Sequence, residues 1–285
     1  MPELPEVETV RRGLAQSIIG KSFSSIDVRR RDLRVSVPGN LAAAIKGCRV
    51  EDIVRRGKYI VIFPEGAPAI ILHLGMSGRV DILKGNSSGS KYKAQKHDHV
   101  IFTMNDKTKV VFSDPRRFGM LYLVSADGWE NKKPFSAMGP EPLEPGFDGA
   151  VLEENLRGKK CNIKSALLDQ NVVAGVGNIY ACEALFVSGI HPERQAASVK
   201  GREAGLLADA IRSVLKKAIA AGGSSLKDYR KTDGSLGYFQ HSFSVYDKES
   251  RKCAGCTCKD KCVQRIVQAG RSTFFCPVKQ KKKAS

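Results

Sequence analysis

Hydrophobic spacing changes partway along this chain, and that change restricts it to folds with more than one kind of domain. From about Ser22 to Val124 the apolar residues fall in short β-rich runs, among them Tyr59 to Phe63, Ala69 to Leu74, Val100 to Met104 and Lys109 to Phe112. Gly, Pro, Asn and Asp part these runs. Beyond Val151 the spacing is helical: Leu206, Leu207, Ala210, Ile211, Val214, Leu215 and Ala218 form one apolar stripe, halted at Gly222-Gly223. Another helix is expected at the N-terminus, where Val7, Val10, Leu14 and Ile18 share a face, Pro5 and Glu6 lie in the first turn, and Gly20 follows the end. An all-β module behind one helix, then a helical bundle, suits a chain of 285 residues. The Pro-rich stretch from Gly139 to Pro145 marks the boundary, and Gly85 to Ser90 reads as an exposed loop inside the β module. No internal repeat is visible.

Forty-seven Lys and Arg against 29 Asp and Glu leave a net charge of +18, which points to a polyanionic partner. The longest apolar runs, such as Ala69 to Leu74, fall far short of the ~20 residues that cross a bilayer, so a membrane-spanning helix is excluded. Glu3, Glu6 and Glu8 stand where a secretory signal needs a basic and then an apolar stretch, so a cytoplasmic location is expected. Of eight cysteines, Cys48, Cys161 and Cys182 are isolated, while Cys253, Cys256, Cys258, Cys262 and Cys276 crowd into 24 residues. In a reducing compartment that crowding predicts a metal rather than disulfides. His73, His97 and His99 also suggest a metal site, but His-Asp-His before a buried strand is expected to make structural hydrogen bonds.

The opening Met-Pro-Glu-Leu-Pro-Glu-Val-Glu carries chemistry of its own. Met1 is normally removed before a small residue such as Pro, which leaves a secondary amine beside a carboxylate. An α-amino group titrates at ~8 and is partly unprotonated at neutral pH, whereas a lysine at ~10.4 is not. The positive end of the adjoining helix disfavours the ammonium further. The rival reading of these residues is a frayed end that merely starts a helix.

The stretch MPELPEVETVRRGL resembles the N-terminus of the formamidopyrimidine-DNA glycosylases. The resemblance continues, in the same order, through Arg56-Gly57-Lys58-Tyr59, His73 to Gly78, Lys96 to His99, Asp114 to Gly119, Gly139 to Leu143 and Gly175 to Tyr180. It runs from residue 2 to about 246 and returns at Gln268 to Pro277. It implies a bifunctional DNA glycosylase and abasic-site lyase that excises oxidised purines (8-oxoguanine, formamidopyrimidines) from duplex DNA. Pro2 attacks C1′ and forms a Schiff base, and β- and δ-elimination cut the strand. Glu3 then manages protons on the opening sugar, Glu6 orients the first turn or relays protons, and Lys58 meets a phosphate and assists catalysis.

An enzyme that extrudes a base must fill the gap. The resemblance gives that task to Met76, Arg116 and Phe118, with Arg116 offering its fork to the widowed base. It matches His99, Lys164 and Asn178 to DNA contacts, the last in a loop-to-helix entry able to meet phosphate. Ala221 to Tyr229, with Gly222, Gly223, Ser224 and Ser225, resembles the loop that closes over the flipped purine. Glu183 matches a position near the active site.

Family members end in a zinc finger made of two cysteine pairs around a β-hairpin whose arginine grips the backbone, here Arg271. This chain departs from that pattern: Lys279 stands where the last cysteine is expected, and the connector after Tyr246 is altered at Asp247 and Ser250. One structural zinc needs four ligands. The set expected is Cys253, Cys256, Cys262 and Cys276, with Cys258 the alternative to Cys256. The competing reading is a metal-free finger.

The expected fold is thus α+β and multidomain: a catalytic β-sandwich with an N-terminal helix (1–135), a helix-two-turn-helix domain (136–240), a zinc-finger-like hairpin (241–279) and a disordered basic tail (280–285). A monomer acting on double-stranded DNA is expected, with no redox cofactor. Two rivals remain. One is the endonuclease VIII type, which removes oxidised pyrimidines with the same amine; Leu4 and Asp-Pro-Arg-Arg-Phe-Gly favour the purine branch. The other is a silent damage-binding protein, against which Pro2, Glu3 and Lys58 argue.

Overall fold

A computed structural model describes residues 2–85, 92–225, 230–255, 257–258 and 262–282. Helix α1 (Leu4–Ile18) forms where the apolar seam predicts it, and Val7, Val10, Leu14 and Ile18 are each at most 1% exposed. Burial of such side chains contributes about 2 kcal/mol apiece. Its start is a capping box: Glu3 accepts the Glu6 N–H, and Glu6 Oε2 accepts the Glu3 N–H at 2.9 Å.

Two antiparallel four-stranded sheets follow. Strands β1 (Phe23–Val28), β5 (Arg79–Leu83), β6 (Asp98–Met104) and β7 (Lys109–Ser113) make one, in the order β1-β6-β7-β5. Strands β2 (Val50–Arg56), β3 (Tyr59–Pro64), β4 (Ala69–His73) and β8 (Met120–Val124) make the other, in that order. Every second residue, such as Ile60 and Ile62, Ile70 and Leu72, or Val100, Phe102 and Met104, enters one core shared by both sheets and α1. Short helix α2 (Leu41–Ile45) packs on β1.

The chain forms two compact units, Met1–Ser136 with Ala221–Gln240, and Ala137–Ala220 with His241–Ser285. The segment after the helical stripe therefore returns to the sandwich. The Ile82 N–H donates to the Thr232 carbonyl at 2.8 Å, and Gly13 lies so close to Thr232 that a Cβ there would meet Oγ1 at 2.3 Å. Of the expected 85–90 loop, 86–90 lie outside the described residues.

The second unit holds α3 (Gly149–Leu156), α4 (Ile163–Leu168), α5 (Asn178–Ser188), α6 (Arg202–Ala220) and the hairpin β9 (Gln264–Gln268) and β10 (Arg271–Phe275). Helix α6 packs against α3 and α5 with its predicted stripe inward, apart from Leu206, which is 47% exposed. In the turn between α4 and α5, the Gln170 side chain accepts the Gly175 N–H at 2.8 Å and donates to the Leu168 and Val176 carbonyls. The hairpin turns at Ala269 and Gly270, both left-handed (φ 47° and 71°), which matches strand twist and puts Arg271 directly beyond the tip.

Gln280 and Lys282 of the tail make defined contacts, contrary to the disorder its charge predicts, as does Lys279 just before it. The Lys279 ammonium sits 4.3 Å from the Phe186 ring centroid, and Lys282 pairs with Glu193 at 3.1 Å. Gln280 is fully buried, accepting the Cys276 N–H and donating to the Ile190 carbonyl. No described helix is long and apolar enough to cross a membrane.

Candidate active site and nucleic-acid contacts

Pro2 and Glu3 are buried at the head of α1, and Glu6 is 2% exposed beneath them. The Glu6 carboxylate does two things at once: Oε2 holds the Glu3 N–H, and Oε1 accepts the Ser224 N–H at 2.8 Å. One buried carboxylate thus ties the helix start behind Pro2 to the loop expected to receive the base. That loop is closed by a bridge between Ser224 and Tyr238, by Ser225 N–H to Gln240 Oε1 at 3.0 Å, and by Gly237 N–H to Ser225 Oγ at 2.8 Å. Gly222 and Gly223 have left-handed φ values of 74° and 81°, which favour glycine there. Residues 226–229 of this loop lie outside the described residues.

Lys58 stands in the tight β2–β3 turn behind left-handed Gly57. Arg55 straps that turn to α1, reaching the Gly57 carbonyl at 3.0 Å and Glu8 Oε2 at 3.3 Å. Burial works to raise the Glu8 pKa, but hydrogen bonds from Arg11 and Arg12 and the Arg55 charge hold it below the ordinary carboxylate value.

His73 pairs with Tyr59, the residue after Lys58, and accepts the Gly75 N–H on Nδ1 at 3.0 Å. Burial first, then the Lys58 and Arg34 charges, lower its pKa to about 4. It folds neutral. Between pH 6.5 and about 4 the unfolded chain therefore binds the extra proton, and stability is lost as pH falls through that window, by up to about 3 kcal/mol. Urea unfolding at pH 7 and pH 4.5 should show a larger loss for the wild type than for His73→Gln. Equal losses would refute this.

Met76 and Phe118 are 37% and 41% exposed, and Arg116, also exposed, places its guanidinium 5.2 Å from the Phe118 ring centroid. These side chains thus stand at the surface, as gap-filling requires. His99 does not: it is 1% exposed, and its Nε2 donates to the Asp114 carbonyl at 2.7 Å. Its place on β6 turns it inward, where it braces the Asp114 loop. Lys164, in the first turn of α4, is likewise fully buried.

Asn178 opens α5 and donates its side-chain amide to the Ser272 carbonyl at 2.9 Å, so helix start and hairpin are tied next to exposed Arg271. Glu183, 2% exposed, accepts the backbone N–H groups of Ser244, Val245 and Tyr246 at 2.8 to 2.9 Å. This orders the segment entering the cysteines. No local pattern marks that role, since its donors lie about sixty residues away in sequence.

The sulfurs of Cys253, Cys258, Cys262 and Cys276 lie within 4.8 Å of one another. A tetrahedral Zn–S length of about 2.3 Å implies S···S edges of ~3.8 Å. The Cys253–Cys258 and Cys258–Cys262 pairs, at 3.1 and 2.6 Å, are tighter, and a central cation would spread them. Burial, then the Cys258 thiol, push Cys262 up to about 11, so these thiols need a cation to ionise together. The Cys253 N–H already points at Cys262 Sγ, at 3.2 Å. The four thiols fit zinc. The alternative set is the one seen to cluster among the described residues: Cys258, 4% exposed and packed with Cys253, Val263 and Cys276, stands in the place open to Cys256 or Cys258, and Cys256 lies outside the described residues.

Residues 1–121 match the family model of the formamidopyrimidine-DNA glycosylase N-terminal domain, and 138–230 that of its H2TH domain. Sandwich, H2TH unit and cysteine-braced hairpin together define an H2TH-type DNA glycosylase. Formamidopyrimidine-DNA glycosylases of Chelativorans sp. (strain BNC1) and Dinoroseobacter shibae are 47% and 48% identical, spanning 99% and 97% of this chain and 100% and 99% of those proteins. The solved structure of a Lactococcus lactis Fpg point mutant with Fapy-dG-containing DNA superposes with a TM-score of 0.88 at 36% identity, covering 99% of this chain and 100% of that one. MutM in complex with carbocyclic 8-oxo-G-containing DNA gives 0.85 at 36%, with the same coverage. The chain belongs to the formamidopyrimidine-DNA glycosylase family, whose members are glycosylases with abasic-site lyase activity.

Proposed function

We propose that this protein excises oxidised purines, 8-oxoguanine and formamidopyrimidines, from duplex DNA and then cleaves the strand as a lyase. The observation that carries the reading is the Glu6 carboxylate, which joins the helix start at Glu3 to the loop at Ser224. The relatives crystallised with Fapy-dG and 8-oxo-G DNA support the substrate class.

In this reading the unprotonated Pro2 nitrogen attacks C1′, and the glycosidic electron pair leaves with the base. Glu3 protonates O4′ as the sugar opens to the iminium, and loss of a C2′ proton then expels the 3′ phosphate. δ-Elimination expels the 5′ phosphate. Lys58 holds phosphate beside the reacting sugar, while Arg271 and the α5 entry at Asn178 hold the backbone. Met76, Arg116 and Phe118 occupy the vacated stack. Cys253, Cys258, Cys262 and Cys276 hold one zinc, which supplies a structural staple for the hairpin that presents Arg271.

Borohydride trapping on a duplex with 8-oxoguanine opposite cytosine, read by peptide mass spectrometry, is expected to give an adduct on Pro2. Faster trapping on thymine glycol would favour the endonuclease VIII type. Tight binding without an adduct, with Met1 removed, would leave a silent damage-binding protein.

A further inference from the structure

Met76 lies on the β4–β5 loop, whereas Arg116 and Phe118 lie on the β7–β8 loop. Side chains that fill one gap from two loops must arrive in fixed register, and the residues beneath them supply it. Ser77 Oγ donates to Asp114 Oδ1 at 2.6 Å, with Ser77 5% exposed and Asp114 fully buried. The Arg116 N–H is shared between Ser77 Oγ and Asp114 Oδ1, each at 3.2 Å, and Asp114 Oδ2 accepts the Gly119 N–H at 2.7 Å. From β6, His99 donates to the Asp114 carbonyl at 2.7 Å, and the Asp114 N–H donates to the His97 carbonyl at 3.1 Å. The two loop backbones also touch. A Cβ on Gly75, whose φ is +62°, would lie 2.4 Å from the Phe118 carbonyl carbon and 2.5 Å from the Gly119 nitrogen.

We infer that Ser77 and Asp114 form a latch that makes the two loops one rigid wedge, and that Ser77 is a positioning residue for Arg116. This rests on the gap-filling role proposed above. The Ser77 hydroxyl is a side-chain link between the loops, and it also accepts the N–H of Arg116, the residue expected to read the widowed base. Reading by a guanidinium fork depends on alignment, because a displacement of ~1 Å breaks bidentate geometry. The latch therefore bears on discrimination of the opposite base, not on the covalent chemistry at Pro2.

The test is single-turnover excision of 8-oxoguanine opposite cytosine and opposite adenine, beside borohydride trapping on a single-stranded abasic oligonucleotide, which has no widowed base. Ser77→Ala is expected to lower the cytosine-over-adenine ratio about tenfold and to leave single-strand trapping unchanged. In Arg116→Ala the ratio falls by itself, and adding Ser77→Ala lowers it no further, because both act through one guanidinium. Asp114→Asn, of equal volume, repeats the selective loss and serves as the second variant. Additive losses in the double variant, or equal losses on single-stranded and duplex substrates, would overturn the latch alone. An unchanged ratio in Arg116→Ala would overturn the gap-filling role and the latch with it.

Discussion

A chain with a glutamate inserted between Met1 and Pro2 is expected to give no trapped adduct and to lose base excision by about a thousandfold or more, about 4 kcal/mol in barrier. The bulky insert keeps Met1 in place, and Pro2 becomes an amide whose lone pair is delocalised into the carbonyl. The side-chain groups are untouched, and duplex binding through the cationic surface of this +18 chain should persist within severalfold. Trapping and single-turnover excision check the first claim, and fluorescence anisotropy the second. Excision at the wild-type rate by the extended chain would remove Pro2 from the mechanism and pass the nucleophile's role to a side chain.

Cys258→Ser is expected to reduce bound zinc below about a tenth of an equivalent, whereas Cys256→Ser should leave about one. Zinc in such sites contributes about 10–16 kcal/mol of binding free energy, coupled to folding of the segment that holds it. Its loss should unfold the hairpin's base, where Cys253, Cys258, Val263, Phe274 and Cys276 pack on Cys182 and Phe186 of α5. Elemental analysis of the purified variants, with a thermal melt of each, reads both effects. Zinc retained in Cys258→Ser and lost in Cys256→Ser would restore the set expected from spacing alone.

Legibility along the chain followed how local each signal was. The seam of Val7, Val10, Leu14 and Ile18 lies within one helix, and its burial followed directly. Buried strands such as β3, β4, β6 and β7 were visible as apolar runs. Edge or half-buried strands were not: β1 reads Phe-Ser-Ser-Ile-Asp-Val, with its polar face outward, and β5 and β8 each bury one residue, so their pairing partners make them strands. Lys279 through Lys282 looked like a solvated tail because a run of charge carries no sign of Phe186 and Glu193, which receive two of them.

The amino-acid sequence by itself determined the domain types and the presence of a thiol cluster, both properties of residue type and near-neighbour spacing; its resemblance to the family is what singled out Pro2, Met76, Arg116 and Phe118. Tertiary structure decided which thiols face one another, that His99 and Lys164 are interior, and what the buried carboxylates do. Glu6 reaches Ser224 across 218 residues, Glu183 reaches Ser244 across 61, and Ser77 reaches Asp114 across 37. A buried carboxylate must find donors or forfeit its solvation. Which donors answer it depends on backbone brought close by folding, and near-neighbour spacing carries no trace of that.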